Sequence, residues 1–352
     1  MDTASHPHRN PDLQAAISRR PFPGFPFVPE NRGARRQHLD SVRHLLPVPG
    51  PVPEVIEHVH LVEARDGHKV PTKSYRPASS SASGEKRPLV VLFHEGGWVM
   101  GDATDEDSNA RLFARDLGVV CLNPEYRLAP EHAFPTGVLD CWDTLKWAAT
   151  NASLLGADPT QGFIVGGSSA GANVAAVLTR LAMKENLQPP ITGQWLCVPY
   201  LLPPELVPAT YRDSYSSMWT NRSDPVLGPL LEGPEDKTTG SFIDTMLKAD
   251  AHSPLFSPFA EEWYPPSDDA SRGREHKPPK AFFQVAGLDP IRDHGLIYRR
   301  VLDEECGVAT RLELYEGFGH MFWTNWPELE RSQDYWRDMA SGIKWLLDSR
   351  IP

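Results

Sequence analysis

A serine flanked by glycines lies between a short apolar run and a helical segment, and this combination restricts the fold more than any other feature. The apolar run is Phe163-Ile164-Val165, and the pentapeptide after it is Gly167-Ser168-Ser169-Ala170-Gly171. A strand that turns directly into a helix needs glycines beside the turn, because the two backbones approach closely there. Such a turn exposes the side chain at its tip, which here is the hydroxyl group of Ser169. The pattern therefore predicts a strand–turn–helix unit that presents a serine.

Strands and helices alternate along most of the chain, which predicts an α/β fold with a mostly parallel central sheet flanked by helices. The predicted strands are Val55–Ala64, Lys69–Tyr75, Leu89–Phe93, Val119–Asn123, Phe163–Val165, Thr192–Val198, Lys280–Val285 and Thr310–Tyr315. The predicted helices are Pro11–Arg19, Ser108–Leu117, Gly137–Ala149, Ala170–Glu185, Ile291–Cys306 and Glu328–Leu347.

The alternation is interrupted in two regions. Residues 1–53 are rich in proline, arginine and aromatic side chains, and the regular pattern lapses between residues 200 and 279. A long interruption between two strands of one sheet usually carries a functional loop or a lid. We therefore expect residues 54–199 and 254–352 to form the α/β domain, and residues 1–53 and 200–253 to form a cap over its site.

The composition limits the partners that we expect. The 352 residues carry a formal net charge of −11, and no Lys/Arg cluster is longer than the pair Arg35-Arg36. Binding to a phosphate backbone needs a basic face, so nucleic acid is not an expected partner. No run approaches the roughly 18 apolar residues that a membrane span requires.

Two further observations favour a cytoplasmic protein. The segment from Met1 to Asn10 is polar and lacks the apolar core of a secretory signal. The cysteines lie far apart in sequence, and we expect them to be free thiols in a reducing compartment. They are Cys121, Cys141, Cys197 and Cys306.

A glycine-containing turn follows the predicted strand Leu89–Phe93, with the sequence His94-Glu95-Gly96-Gly97-Trp98. Small residues at the carboxyl end of a strand can point backbone N–H groups at a developing negative charge on oxygen. We expect the N–H groups of Gly96 and Gly97 to act in this way, together with the N–H group of Ala170. These three donors would form an oxyanion hole.

Serine is a poor nucleophile at neutral pH and needs a base, together with an acid that orients the base. Asp289 follows the predicted strand Lys280–Val285, and His320 follows the predicted strand Thr310–Tyr315. Catalytic side chains of open parallel sheets gather at the carboxyl ends of the strands. We therefore predict a catalytic triad of Ser169, His320 and Asp289. Asp293, four residues after Asp289, is the alternative acid.

Five motifs in this order resemble those of the hormone-sensitive-lipase-type (family IV) esterases of the α/β-hydrolase fold. The resemblance covers about Val55 to Leu347. It implies hydrolysis of carboxylic esters through the Ser169–His320–Asp289 triad without a cofactor. It also implies that the cap consists of the N-terminal segment and an insertion before the acid strand. The motifs are His94-Glu95-Gly96-Gly97-Trp98, Tyr126-Arg127-Leu128-Ala129-Pro130-Glu131, Gly167-Ser168-Ser169-Ala170-Gly171-Ala172-Asn173, Asp289-Pro290-Ile291-Arg292-Asp293 and Gly317-Phe318-Gly319-His320.

The chain departs from the family pattern at two positions. Glu95 replaces the first glycine of the usual His-Gly-Gly-Gly, and Ser168 replaces the Asp or Glu that is common before the nucleophile. A carboxylate beside the oxyanion site could repel acidic acyl groups, or accept hydrogen bonds from hydroxylated or cationic ones. The alternative is that Glu95 turns away to a partner in a loop.

Aromatic side chains are frequent near the motifs and in the predicted cap, and aromatic walls suit an apolar or aromatic ligand. We therefore expect a small-molecule ester of medium size as the substrate. The alternative for each aromatic residue is a packing role. The predicted substrate-binding residues are Glu95, Trp98, Tyr200, Trp219 and Trp323.

The same residues are compatible with other functions. An acyltransferase, an amidase or a deacetylase would use the same triad. A ligand receptor that has lost a triad residue is the alternative from another class, but all three residues are present.

His58 and His60 share one face of a strand without a further ligand pattern nearby, so we expect no metal site. The oligomeric state is undetermined, and a homodimer is one alternative.

Overall fold

The computed structural model describes residues 8–78, 86–231, 247–260 and 277–348. Part of the predicted cap insertion, residues 232–246, therefore lies outside the described residues. The same holds for residues 261–276 and 349–352, which were assigned to the α/β domain. Within the described ranges, no helix combines the length and apolar character needed to cross a membrane.

An eight-stranded sheet forms the centre of the molecule, with the strand order β1-β2-β4-β3-β5-β6-β7-β8. Strand β2 is antiparallel to both β1 and β4, and the other neighbouring strands are parallel. This mostly parallel sheet confirms the predicted α/β class. The strands are β1 Val55–Glu63, β2 Lys69–Pro77, β3 Leu89–Phe93, β4 Val120–Pro124, β5 Phe163–Ser168, β6 Gly193–Cys197, β7 Lys280–Ala286 and β8 Thr310–Tyr315.

Helices cover both faces of the sheet, as the strand sequences require. Side chains alternate across a strand, so Leu89, Val91 and Phe93 of β3 join the apolar core on one face. Val90 and Leu92 join the core on the other face. The described helices are α1 Pro11–Arg19, α2 Arg32–Arg43, α3 Asp107–Leu117, α4 Thr136–Thr150, α5 Ala152–Leu155, α6 Ala170–Lys184, α7 Ser217–Thr220, α8 Arg292–Arg300, α9 Phe322–Asn325 and α10 Glu330–Leu347.

Two of the longer helical regions differ from the predictions, and the short helices α5, α7 and α9 were not predicted either. The predicted helix Ile291–Cys306 is divided into α8 and a π-helical segment, Val301–Glu305. Helix α2 was not predicted, because its twelve residues are mostly polar and only Val42 is buried. An apolar stripe is the main sequence signal of a helix, and α2 does not have one.

The described part of the insertion between β6 and β7 holds only short helical segments. Residues 247–260 contribute no strand, and the sheet resumes with β7 at Lys280, where the sequence predicted a strand. The start of the insertion is fixed to α8, because the Nδ1 atom of His294 accepts hydrogen bonds from the N–H groups of Leu201 at 3.1 Å and Leu202 at 3.2 Å.

Candidate active site

Ser169 occupies the sharp turn between β5 and α6. Its φ of +54° lies in the left-handed region, which non-glycine residues rarely adopt. A Cβ atom at Gly167 would lie 2.2 Å from the carbonyl oxygen of Phe93, and one at Gly171 would lie 1.9 Å from it. Only glycine fits at both positions, because β3 passes directly beside the turn. The predicted strand–turn–helix unit therefore has the close backbone approach that its glycines indicated.

The structure brings together the three residues of the predicted triad. The Nε2 atom of His320 lies 3.1 Å from Oγ of Ser169. The Nδ1 atom of His320 lies 2.6 Å from Oδ2 of Asp289. The other oxygen of Asp289 accepts a hydrogen bond from the N–H group of Ile291 at 2.9 Å, which holds the carboxylate in this orientation. This arrangement can move a proton from the hydroxyl group to the imidazole.

The charges around His320 favour its protonated form. Burial alone lowers the pKa of His320, but the Asp289 carboxylate raises it, with smaller contributions from Asp224 and Glu95. The net result is a pKa above the ordinary value of 6.5. An imidazolium that forms during a reaction would therefore be stabilised at this position.

Asp293, the alternative acid, has a different environment. Its Oδ2 atom accepts hydrogen bonds from the N–H groups of Ser216 and Ser217, both at 2.7 Å. Its Oδ1 atom accepts a hydrogen bond from Nε of Arg292 at 2.9 Å. Asp293 therefore fixes the inserted segment to α8.

The turn after β3 places glycines beside Ser169. Gly96 and Gly97 have φ angles of +116° and +61°, and a Cβ atom at Gly96 would lie 2.2 Å from the carbonyl oxygen of Met100. In the described part of the chain, the N–H groups of Gly96, Gly97 and Ala170 make no backbone hydrogen bond. The N–H group of Ala170 is free because this residue begins α6, and the first turn of a helix leaves its donors unpaired. Of these three residues, Gly96 lines the cleft that contains Ser169, and the oxyanion hole stays a prediction.

Glu95 both borders the site and has a protein partner. Its carboxylate accepts a hydrogen bond from Nη2 of Arg35 at 2.8 Å, and the two side chains are 10% and 11% exposed. Nη1 of Arg35 also donates to Asp105 at 2.9 Å. Burial raises the pKa of Glu95 and Asp105 adds to this effect, whereas Arg35 opposes it. The sequence did not reveal Arg35 as the partner, because α2 lacked a helical signal.

A narrow cleft of about 60 Å³ contains Ser169 and His320. The N-terminal segment supplies much of its wall, and the insertion supplies Val226 and Leu227. Both regions that were predicted to form the cap therefore border the cleft. The lining residues from the N-terminal segment are Phe22, Phe25, Phe27, Arg35, His38 and Leu39.

The four predicted aromatic contacts lie elsewhere. Trp98 borders a separate cavity of about 20 Å³ and packs against Tyr200, with ring centroids 5.9 Å apart. Trp219 is 44% exposed and packs against Tyr215. Trp323 is 1% exposed and stacks on Tyr335 at 3.9 Å. None of the four lines the cleft. Trp323 is near His320 in sequence, but helix α9 directs its side chain into the core.

Sequence reasoning missed Asp224, a residue of the insertion. Its Oδ2 atom accepts a hydrogen bond from the N–H group of His320 at 2.6 Å. The sequence around Asp224 gave no signal for this role, because the contact joins residues that are 96 positions apart.

The described residues include no group of three or more His, Cys, Asp or Glu side chains that could hold a metal ion. His58 and His60 lie close together, with ring centroids 4.7 Å apart. The Nε2 atom of His60 forms a hydrogen bond with Ser74 at 2.9 Å.

Comparisons with known proteins agree with this architecture. The alpha/beta hydrolase fold family matches residues 90–324. An AB hydrolase superfamily protein of Schizosaccharomyces pombe is 36% identical over 287 residues, which cover 82% of this chain and 78% of the relative. An arylesterase of Saccharolobus solfataricus is 33% identical over 258 residues, which cover 73% of this chain and 74% of the relative.

A solved structure extends the similarity to almost the whole chain. The crystal structure of vibralactone cyclase has a TM-score of 0.80 and 27% sequence identity, and the match covers 99% of this chain and 97% of the cyclase. The fold and the enzyme class expected from the five motifs are therefore confirmed. The chain belongs to the hormone-sensitive-lipase-type esterases of the α/β-hydrolase fold and is a carboxylesterase-type hydrolase.

Proposed function

We propose that this esterase cleaves esters of medium-sized apolar or aromatic substrates through Ser169, His320 and Asp289, with an acyl-enzyme intermediate. The observation that carries the proposal is the continuous chain of contacts from hydroxyl to imidazole to carboxylate. The two distances are 3.1 Å for Ser169–His320 and 2.6 Å for His320–Asp289. Ser169 and His320 both line the narrow cleft.

In the first half of the reaction, Oγ of Ser169 attacks the ester carbonyl carbon while Nε2 of His320 takes the hydroxyl proton. The carbonyl electron pair moves to oxygen, which accepts hydrogen bonds from the N–H groups of Gly96, Gly97 and Ala170. The electron pair returns, the C–O bond to the alcohol breaks, and His320 gives its proton to the leaving alcohol. Water then attacks the acyl-enzyme by the same route and releases the acid and Ser169.

The proposed substrate class follows from the walls of the cleft. Phe22, Phe25 and Phe27 form an aromatic surface on the side of the N-terminal segment. Aromatic walls favour apolar and aromatic ligands. The similarity to an arylesterase supports the same substrate class.

The direct test is covalent labelling with a fluorophosphonate, which reacts with activated serines. We expect the label on Ser169, and we expect the Ser169→Ala variant to lose both labelling and several orders of magnitude in kcat. Ser168→Ala is the matched control, because it changes the adjacent serine at the end of β5 and should retain labelling. Near-normal turnover by Ser169→Ala would refute the assignment. An unlabelled, inactive but folded wild-type protein would instead favour a ligand receptor.

Acyl transfer is the second candidate, because a solved structure that covers almost the whole chain belongs to a protein named a cyclase. The same triad supports transfer to an alcohol or amine as well as hydrolysis of an amide. Product analysis with a competing alcohol distinguishes the reactions. Hydrolysis gives free acid as the main product, whereas a transferase gives mainly the new ester.

A further inference from the structure

A short part of the insertion, residues 221–228, holds both loops that carry the acid and the base. The Nδ2 atom of Asn221 donates to the carbonyl oxygens of Gly287 at 3.1 Å and Asp289 at 3.0 Å. Three positions later, Asp224 accepts the hydrogen bond from the backbone of His320. The same segment supplies Val226 and Leu227 to the wall of the cleft. One element therefore touches the acid loop, the base loop and the substrate site.

The carboxylate of Asp224 has an unusual environment. Asp224 is 1% exposed, and its Oδ1 atom accepts hydrogen bonds from the N–H groups of Val226 at 2.8 Å and Leu227 at 2.6 Å. None of the ion pairs found among the described residues includes Asp224. A buried carboxylate without a cation is costly unless it is well solvated by donors. The cationic group that this carboxylate can stabilise is the imidazolium of His320.

The fit between Asp224 and the base loop is tight. A Cβ atom at Gly319 would lie 2.2 Å from Oδ2 of Asp224. Glycine is therefore needed before His320 because the carboxylate occupies the space that a side chain would fill.

We propose that Asp224 is a positioning residue for His320, which fixes the backbone of the base and presents a second negative charge to its imidazole. This inference rests on the proposed function, in which His320 is the base. Asp224 does not touch the reacting atoms and acts through His320. Because Asp224 belongs to the insertion, the geometry of the base depends on correct docking of the cap.

The charge of Asp224 has a defined effect on the pH dependence. The groups that face His320 are Asp289 from the loop after β7, Asp224 from the insertion, and Glu95 from the turn after β3, which is paired with Arg35 of α2. Removal of the negative charge at Asp224 lowers the pKa of His320. Since the base must be neutral, the acid limb of kcat/KM then moves to lower pH. The imidazolium of the transition state is also less stabilised, so kcat falls.

Burial raises the pKa of Asp224 to about 6, with a further contribution from Asp289 and an opposing one from His320. The carboxylate is therefore ionised at pH 8, where kcat should be compared between variants.

The test is Asp224→Asn, with Asp293→Asn as the matched control. Both substitutions replace a buried carboxylate that accepts hydrogen bonds from two or more backbone N–H groups, where the insertion contacts the rest of the protein. Only Asp224 faces His320. We expect Asp224→Asn to move the midpoint of the acid limb down by about half a unit to one unit, and to lower kcat at pH 8 by roughly threefold to tenfold. Asp293→Asn should lower Tm without moving the midpoint.

A second readout does not depend on turnover. The pKa of His320 can be followed by NMR through the proton that bridges its Nδ1 atom and Asp289, and this pKa should fall in Asp224→Asn alone. If the wild-type protein hydrolysed no ester, the proposed function would fail, but this titration would still decide the role of Asp224. Equal midpoints and equal His320 titrations in the wild type and Asp224→Asn would overturn the proposal.

A second variant covers the case in which Asp224→Asn does not fold. Gly319→Ala changes no charge but displaces the carboxylate from His320, because of the 2.2 Å approach. We expect the midpoint of the acid limb of kcat/KM to move to lower pH, as in Asp224→Asn, but by a smaller amount. An unchanged midpoint in a folded Gly319→Ala protein would contradict the role of Asp224.

Discussion

Glu95 lies at the boundary between the protein interior and the cleft, where the family usually has glycine. Its ion pair with Arg35 is almost fully buried, and both residues line the cleft. A buried ion pair gives little net stability, but loss of one partner leaves a charge that is not compensated. The charged groups of both side chains therefore border the cleft that contains Ser169 and His320.

We predict that Glu95→Gly changes the selectivity for charged esters. Arg35 would then keep only Asp105 as an ion-pair partner, and the local charge would become less negative. The ratio of kcat/KM for acidic esters to that for neutral esters should rise by about tenfold, and the ratio for cationic esters should fall. The measurement is a panel of neutral, acidic and cationic esters with one leaving group.

The double variant Glu95→Gly, Arg35→Gln is the control, because it removes both charges. In this double variant, most of the increase in the ratio of kcat/KM for acidic esters to that for neutral esters should disappear. If the ratios stay the same in both variants, Glu95 has no influence on the substrate and serves only as the partner of Arg35.

At the scale of elements, helix α2 is attached to the main domain mainly by polar contacts. Arg32 donates to the carbonyl oxygen of Val99 at 2.6 Å and pairs with Glu131 at 2.7 Å, and Arg35 pairs with Glu95 and Asp105. The segment before α2 supplies the aromatic wall. A Cβ atom at Gly97 would lie 2.8 Å from the ring of Phe27, so this ring packs directly on the turn after β3.

We predict that Phe27→Ala widens the cleft and favours longer acyl chains. Because the cleft holds only about 60 Å³, loss of the ring should matter most for esters that do not fit the wild type. The ratio of kcat/KM for octanoyl esters to that for acetyl esters should rise by about tenfold. Trp219→Ala is the control, since this exposed ring does not line the cleft. An unchanged ratio in Phe27→Ala would exclude the N-terminal segment as the acyl wall.

At the scale of the whole molecule, the insertion after β6 is joined to the sheet domain through buried polar side chains of α8. His294 accepts hydrogen bonds from Leu201 and Leu202 through Nδ1, and its Nε2 atom lies 3.0 Å from the hydroxyl group of Tyr215. Burial lowers the pKa of His294 to about 3, against a small opposing effect of Asp293. The histidine therefore stays neutral in the folded protein.

This neutral histidine predicts acid sensitivity of the fold. Below the ordinary histidine pKa of about 6.5, the unfolded chain binds a proton that the folded protein excludes, so stability falls as the pH falls. Between pH 6.5 and 4.5 this one group should cost about 2.3 kcal/mol of unfolding free energy. The measurement is urea unfolding at several pH values in the wild type and His294→Gln, whose amide oxygen can still accept the two N–H groups. Identical pH slopes in the two proteins would contradict this role.

The order of elements was predictable because each depends on a short stretch of sequence. The apolar runs of β3, β5 and β7 indicate buried strands. The glycines around Ser169 indicate a turn at which two backbones approach closely. The boundaries of α1 and β8 were predicted to the residue, whereas α2 was missed because it is held by ion pairs with distant residues. The same reasoning named Ser169, His320 and Asp289, since each follows a strand and carboxyl ends of parallel strands share one edge.

The sequence by itself determined the α/β fold, the family and the residues that the structure gathers at one edge of the sheet. Tertiary structure decided where the side chains between the motifs point. It buried Trp323 in the core, paired Glu95 with Arg35 and brought Asp224 to His320 across 96 positions. The physical reason is that backbone conformation depends on neighbouring residues, whereas the direction and partner of a side chain depend on the packing of elements that are distant in sequence.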